Sequence, residues 1–463
     1  MPLGLLPLAL LIAAAPAPAT GADGSHESPS STTEEVSFTS DGLTLHGTVL
    51  VPADGDGVHP AAVLVAGSGS RTRDAYLAEA RAMTASGVIT LIYDKRSVGY
   101  SLTERSYAQL AEDAIAGLRL LQSRDDVDPS RAGLWGHSEG GWVVPLAASS
   151  NAEVDFVVIA GASAVPPAEV QAWSTCAHLV HSGFSERLCE PIGVNPTRLL
   201  VAAGMFPEAE YDPAPAFDDL DMPTLVLLAE HDQSTAPVSS EELFSRLLSE
   251  DVGSRVCVVP GADHEFRASS DGFSAAEAFA PGYLELAGEW VDALGTASFE
   301  CPSAEPAQQS GSPTPLQSLA WYESIAAQAI VVCGVLAALL WYPITALVRR
   351  ARGMRGRPVA AASARFVVSA GLVTVLGTVC LLGYLMATGA TESIGPTVLG
   401  RPLVWLALQS LAVATIAVAV MTAASWWRRR REVGTGHAVR LGVVLAAAVL
   451  LLPWAAWWGL FTI

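Results

Sequence analysis

Four apolar runs, at 325–348, 366–387, 403–427 and 441–460, fill most of the last third of this chain. A helix needs about 20 apolar residues to cross the hydrocarbon layer, and each run supplies them. Several adjacent runs of this length rarely have any other explanation, so they predict four membrane spans. Trp321, Tyr322, Trp341, Tyr342, Trp426, Trp427, Trp454, Trp457 and Trp458 gather toward run ends, where interfacial anchors belong. Charge divides the chain at the same place. Residues 1–320 hold 14 Lys/Arg and 43 Asp/Glu, whereas 321–463 hold 12 Arg and 3 Glu. The acidic part excludes nucleic acid as a partner. Lys95 is the only lysine beside 25 arginines; the sequence alone gives it no function.

Arginine fixes the expected orientation. The first interhelical loop carries Arg349, Arg350, Arg352, Arg355, Arg357 and Arg365; the third carries Arg428, Arg429, Arg430, Arg431 and Arg440; the second carries only Arg401. Positive loops stay cytoplasmic, so the acidic part is expected on the extracytoplasmic face of a multi-pass cell-membrane protein. The N-terminus agrees. A short apolar core at 3–15 precedes Ala17-Pro18-Ala19, a small-x-small pattern of secretory signals, giving an expected signal peptide over 1–22. Four cysteines, Cys176, Cys189, Cys257 and Cys301, fall outside the apolar runs, and an exported even set predicts disulfides with three possible connectivities. A Cys176–Cys189 bridge would close a small loop; a Cys257–Cys301 bridge would tie a late strand to the segment after the last helix.

Residues 20–33 are polar and expected to be disordered, and 298–320, rich in Ser, Pro, Gln and Gly, is expected to link to the membrane part (321–463). Between them, over 34–297, strand and helix signals alternate, the pattern of a mostly parallel sheet with helices on both faces. Strands are predicted at 36–39, 43–51, 61–66, 88–93, 132–135, 154–159, 224–229 and 255–259. Helices are predicted at 74–86, 107–123, 139–149, 239–249 and 273–294. Residues 163–219 interrupt the alternation and read as an inserted cap.

Chemistry concentrates at Gly136-His137-Ser138-Glu139-Gly140. A serine within Gly-x-Ser-x-Gly, between strand and helix, is presented on a turn too tight for side chains two residues either way. Further segments accompany it: Val65-Ala66-Gly67-Ser68-Gly69, Tyr93-Asp94-Lys95-Arg96-Ser97-Val98-Gly99-Tyr100-Ser101, Ala229-Glu230-His231-Asp232, and Pro260-Gly261-Ala262-Asp263-His264. Together they resemble the α/β-hydrolase superfamily over about 34–297, most closely bacterial esterases and the serine aminopeptidases (S33-like) or prolyl-oligopeptidase-related groups. Two positions depart from it: Ala66 stands where His is usual, and Ser97 where Gly is.

The resemblance implies an α/β-hydrolase fold and a triad in the order Ser138, Asp232, His264. Each role has a physical reason. A serine hydroxyl attacks only when a base takes its proton. His264 can take that proton and return it to the leaving group, while Asp232 holds the ring tautomer and stabilises the imidazolium. The amides of Ser68 and Glu139 are expected to form the oxyanion hole; Glu139 serves by its amide, so its carboxylate need not be catalytic.

Position separates the rival residues. His26, His46 and His59 read as solvated, His137 as packing, and His178 with His181 as a solvated face of a cap helix; His231 does not follow a last strand and Gly turn as His264 does. Asp263 reads as turn chemistry, and Glu230 is a poorer triad acid than Asp232. No metal or cofactor motif is present. The expected activity is hydrolysis of a small-molecule ester through an acyl-enzyme. An S33-like peptidase is the alternative, with Glu169, Glu186 and Glu190 of the cap as candidate anchors for a substrate amine. A membrane sensor or transporter is the alternative of another class, but Gln328 and Gln409 are the main polar groups in the runs, too few for a substrate pathway. Contact with the lipid bilayer is expected through the four spans.

Overall fold

The computed structural model describes residues 31–53, 57–101, 103–248, 253–295, 299–353 and 360–462. The expected signal peptide and most of the polar lead lie outside these residues. Eight strands form one sheet in the order β1-β2-β4-β3-β5-β6-β7-β8: Thr32–Ser40, Leu43–Val51, His59–Val65, Ile89–Tyr93, Val127–His137, Val157–Ala160, Thr224–Ala229 and Arg255–Val259 for β1 to β8 in chain order. β2 is antiparallel to both of its neighbours, and every other pairing is parallel. This order, with one reversed strand near the edge, is the α/β-hydrolase fold. The first strand begins at Thr32, inside the lead expected to be disordered.

The central strands β4, β6 and β7 are buried at every position and largely apolar because both faces are covered. Ala61, Val63 and Val65 of β3 and Val226 and Leu228 of β7 pack into one core with α2 (Tyr107–Gln122), α3 (Gly140–Ser149) and Phe244 of α7 (Pro237–Leu247). Their neighbours Ala62, Leu64, Leu225 and Leu227 face the other way, into a core with α1 (Leu77–Ala85) and α8 (Tyr283–Asp292). A period of two residues thus feeds two helix layers from one sheet.

One expected element is corrected. The helix predicted over 273–294 is a strand, Ala275–Phe279, followed by α8. The strand pairs with Arg267–Ser269, Asp271 accepts the amides of Phe273 and Ser274, and the Arg267 guanidinium lies 3.9 Å over the Phe279 ring. Hairpin pairing and this stacking override the helical propensity of Ala-Ala-Glu-Ala, and Pro281-Gly282 separates the two elements.

Between β6 and β7 lie α4 (Pro167–His181), a 3₁₀ turn (Glu186–Leu188), a π turn (Cys189–Val194), α5 (Asn195–Ala202) and α6 (Ala214–Asp218). A disulfide joins Cys176 of α4 to Cys189, and another joins Cys257 of β8 to Cys301. The 299–320 segment lies against this part: the Gln308 amide donates to the Glu230 carbonyl, and Arg198 donates to the carbonyls of Gln317 and Ser318.

Four helices, α9 (Ile325–Ala351), α10 (Ala361–Thr388), α11 (Leu403–Arg428) and α12 (Thr435–Trp457), are long and apolar enough to cross a membrane. Where they meet, Thr374, Thr415 and Thr422 are buried and return their hydroxyls to carbonyls one turn back, which satisfies them without a partner helix. Ile330, Val413 and Val449 are exposed on the outer surface, as lipid contact requires. Cap residues Leu179, Phe184, Leu188 and Ile192 share one apolar core with Trp405, Trp454, Trp458 and Leu460 at one end of this helix group. Arg349, Arg350 and Arg428, in the last turns of α9 and α11, lie at the other end.

Candidate active site

The chain runs outward from β3 to β4 and then returns to place β5 beside β3. Open α/β sheets bind ligands where the strand order reverses in this way, at the carboxyl ends of the strands. Ser68 follows β3 and Ser138 follows β5, so this topology brings them to one crevice.

Ser138 adopts φ +54°, a left-handed conformation that few side chains take and that marks stored strain. The glycines around it permit the turn. A Cβ at Gly136 would strike the Gly140 carbonyl, and one at Gly140 would strike the Val65 carbonyl. The turn aims Ser138 Oγ at His264 Nε2, 3.1 Å away. His264 Nδ1 lies 2.9 Å from Asp232 Oδ2. A carboxylate only accepts, so Nδ1–H donates to Asp232 and Nε2 is left to receive the Ser138 proton. Asp232 is fully buried and also accepts from the amides of Ser234 (2.6 Å) and Thr235 (2.9 Å) and from the Thr235 hydroxyl. Burial disfavours its charge, but His264 and these donors outweigh burial and keep it below the usual carboxylate range.

The rival groups are used elsewhere. Asp263 accepts the amides of Glu265 and Arg267, and Glu230 accepts the Gly261 amide; both shape the His264 loop. His137 is buried: its Nε2–H donates to the His264 carbonyl (3.0 Å), and its Nδ1 accepts from the Tyr76 hydroxyl (3.1 Å), which itself accepts the Gly67 amide. Three loops are thereby locked together through one imidazole. Burial, then the nearby His264, lower the His137 pKa to about 4, so this ring stays neutral. His181 is exposed, as expected, and stacks on Phe273 at 3.9 Å, while half-buried His178 meets that ring edge-on. The described residues hold no group of His, Cys, Asp or Glu suited to a metal.

Ser138 and His264 open into a cavity of about 280 Å³ lined also by Ser68, Arg71, Arg105, Trp142, Val170, Gln171, Phe206, Thr235 and Glu265, and by Gly389 and Thr391. Larger cavities of about 700 and 740 Å³ lie between the cap and residues 308–319, away from both. Among the described residues, no acceptor in the chain takes the amides of Ser68 and Glu139, which edge the serine.

Two features escaped the sequence. The Glu139 carboxylate is buried and accepts from Lys95 Nζ (2.8 Å), the Tyr100 hydroxyl (2.7 Å) and Arg105. Lys95 also donates to the Gly67 carbonyl. The sole lysine of the chain therefore fastens the turn after β3 to the serine turn. Burial alone would raise the Glu139 carboxyl, but Lys95 and Arg105 hold it below its ordinary value. Removing one member of a buried pair strands the others, at a cost of about 3–5 kcal/mol. Glu139→Ala is thus expected to lower stability by about that amount, read from thermal unfolding of the detergent-solubilised chain. The second feature is the Arg71–Glu265 pair (3.0 Å) at the cavity mouth. A glutamate directly after the serine, with one lysine in the loop after β4, was the available signal for the first; nothing local signalled the second.

A model of the prolyl oligopeptidase family (Peptidase_S9) matches residues 83–285, a stretch that takes in Ser138, Asp232 and His264. This is one of the groups that the motifs resemble. A thiohydrolase, apmlB, of Arthrinium phaeospermum is 34% identical over 138 residues, which are 29% of this chain and 44% of that protein. The match spans less than half of that relative. Among solved structures, DcsB with a substrate analogue is 20% identical at a TM-score of 0.41, over 57% of this chain and 99% of that one. A dienelactone hydrolase from Anabaena variabilis is 17% identical at 0.37, over 57% and 96%. At these TM-scores the structural likenesses carry no functional argument.

Proposed function

We propose that this chain is a membrane-tethered serine hydrolase that cleaves carboxylic esters or thioesters through an acyl-enzyme, with its catalytic part on the extracytoplasmic side. One observation carries the reading: Ser138 Oγ, His264 and Asp232 form a continuous hydrogen-bonded line at the floor of a cavity edged by two unused amides. Ser138 attacks the carbonyl carbon as its proton passes to His264 Nε2. The oxyanion settles on the amides of Ser68 and Glu139, each such donor contributing about 2.7–4 kcal/mol. His264 then protonates the leaving oxygen or sulfur, the C–O or C–S bond breaks, and the acyl group remains on Ser138. Water, deprotonated by His264, releases the acid and restores the serine. The arginine-poor end of the helix group, on which the catalytic part sits, and the two disulfides support an extracytoplasmic site.

An ester or thioester is favoured over a peptide by the carboxylates. Glu169, Glu186 and Glu190 of the cap do not line the cavity. The carboxylates that do, Glu139 and Glu265, are each neutralised by a cation of the chain. A substrate amine finds no free acid there. The thiohydrolase name of the Arthrinium phaeospermum relative agrees with acyl transfer to water. Purified chain in detergent micelles is expected to hydrolyse p-nitrophenyl butyrate and to leave aminoacyl-p-nitroanilides at background. Anilide cleavage at comparable kcat/KM would make it a peptidase instead.

A further inference from the structure

We propose that the four-helix unit completes the active site and that the substrate is an acyl ester of an amphiphile held in the bilayer surface; this deepens the hydrolase reading and rests on it. Gly389 and Thr391, in the turn that ends α10, line the same cavity as Ser138 and His264, with Gly389 beside Gln171 of α4. One wall of the catalytic pocket therefore belongs to a loop between two spans.

Packing holds that wall in place. Gly183, at the end of the cap helix, runs so close to Gly400 of this loop that any Cβ would strike the Gly400 carbonyl. The Phe184 ring lies 5.8 Å from Trp405 at the start of α11. Gly459, after α12, abuts Leu188 and Pro191. The ends of three spans thus bear on the cap and the pocket rim.

The cavity, at about 280 Å³, falls short of the roughly 300–1,000 Å³ that encloses a drug-sized ligand. It holds the reacting ester, and the rest of a larger substrate must leave along the wall. That wall ends in a hairpin, Thr397–Val398 paired with Arg401–Pro402, whose tip residue Leu399 is 97% exposed at φ +52°. A bulky apolar side chain held in a left-handed turn and turned fully outward gains nothing in water. At headgroup depth it contacts acyl chains. Trp321 and Tyr322, exposed just before α9 at this same end, mark the interface level. A substrate anchored there reaches Ser138 past Thr391 without leaving the surface.

The test uses full-length chain reconstituted in phosphatidylcholine vesicles, with active sites counted by a small fluorophosphonate. 4-Methylumbelliferyl oleate serves as the bilayer-resident ester and the butyrate as the soluble one. Wild type is expected to favour the oleate. Thr391→Trp should lower the oleate-to-butyrate ratio of kcat/KM about tenfold or more, while Thr391→Ser keeps it. Leu399→Asp, outside the pocket, should raise KM for the oleate and leave its kcat. A wild type that takes only the butyrate, or a Thr391→Trp ratio equal to wild type, overturns the proposal. If Thr391→Trp fails to fold, an unchanged oleate KM in Leu399→Asp overturns it. A wild type that the fluorophosphonate does not label, and that cleaves neither ester, sinks the hydrolase reading instead.

Discussion

Replacing Ser138 by alanine is expected to cut kcat for ester hydrolysis by a factor on the order of 10⁶, with melting temperature and KM nearly unchanged. Alanine keeps the Cβ, so the turn at φ +54° and the glycine contacts that permit it are untouched. The amides of Ser68 and Glu139 also survive, and they leave residual catalysis over water of about 10³–10⁴-fold. A fall of only a few-fold in steady-state hydrolysis would mean that another group performs the attack.

Asp232→Asn should lower kcat by about 10⁴-fold and also move the pH profile. Burial opposes a charge on His264, but Asp232, by its charge and its hydrogen bond, and then Glu265 and Asp263 raise the His264 pKa to about 9. The base must be neutral to accept the serine proton, so kcat/KM of wild type should climb with pH toward about 9. His137, lowered to about 4, adds no limb in that range. Removing the Asp232 carboxylate removes the leading favourable influence, so the limb should shift to lower pH in Asp232→Asn. The linked stability has the opposite slope. A histidine pKa raised on folding stabilises fully below its unfolded value near 6.5 and loses that stabilisation as pH rises through about 9. Thermal midpoints from pH 6 to 10 should therefore fall more steeply in wild type than in the Asn variant. A profile that does not move would separate Asp232 from the imidazole.

How far the sequence could be read depended on how local each cause was. The elbow glycines, the Gly-rich turn after β3 and the His264 loop are constrained within a few residues, so their motifs carry their geometry. β7 and β8 match the predicted strands residue for residue because their apolar runs have sharp ends. The strand at Ala275–Phe279 carries a helical composition; its pairing partner and the Arg267–Phe279 stack lie outside it. Lys95 and Glu139, 44 residues apart, are joined only by the crossing of β4 and β5 near β3. That contact is tertiary, and a lone lysine gives no local sign of it. The reach of Gly389 and Thr391 into the cavity is more remote still, since it depends on how the cap seats on the helix ends.

The central claim is that one serine becomes acylated, and the most direct measurement maps that covalent bond. Full-length chain in micelles is treated with a fluorophosphonate, digested, and read by peptide mass spectrometry. A single adduct on the peptide containing Ser138, absent after Ser138→Ala and strongly reduced after His264→Ala, is the expected result. A folded wild type that takes up no adduct, or an adduct that persists on another residue in Ser138→Ala with hydrolysis intact, would contradict the account.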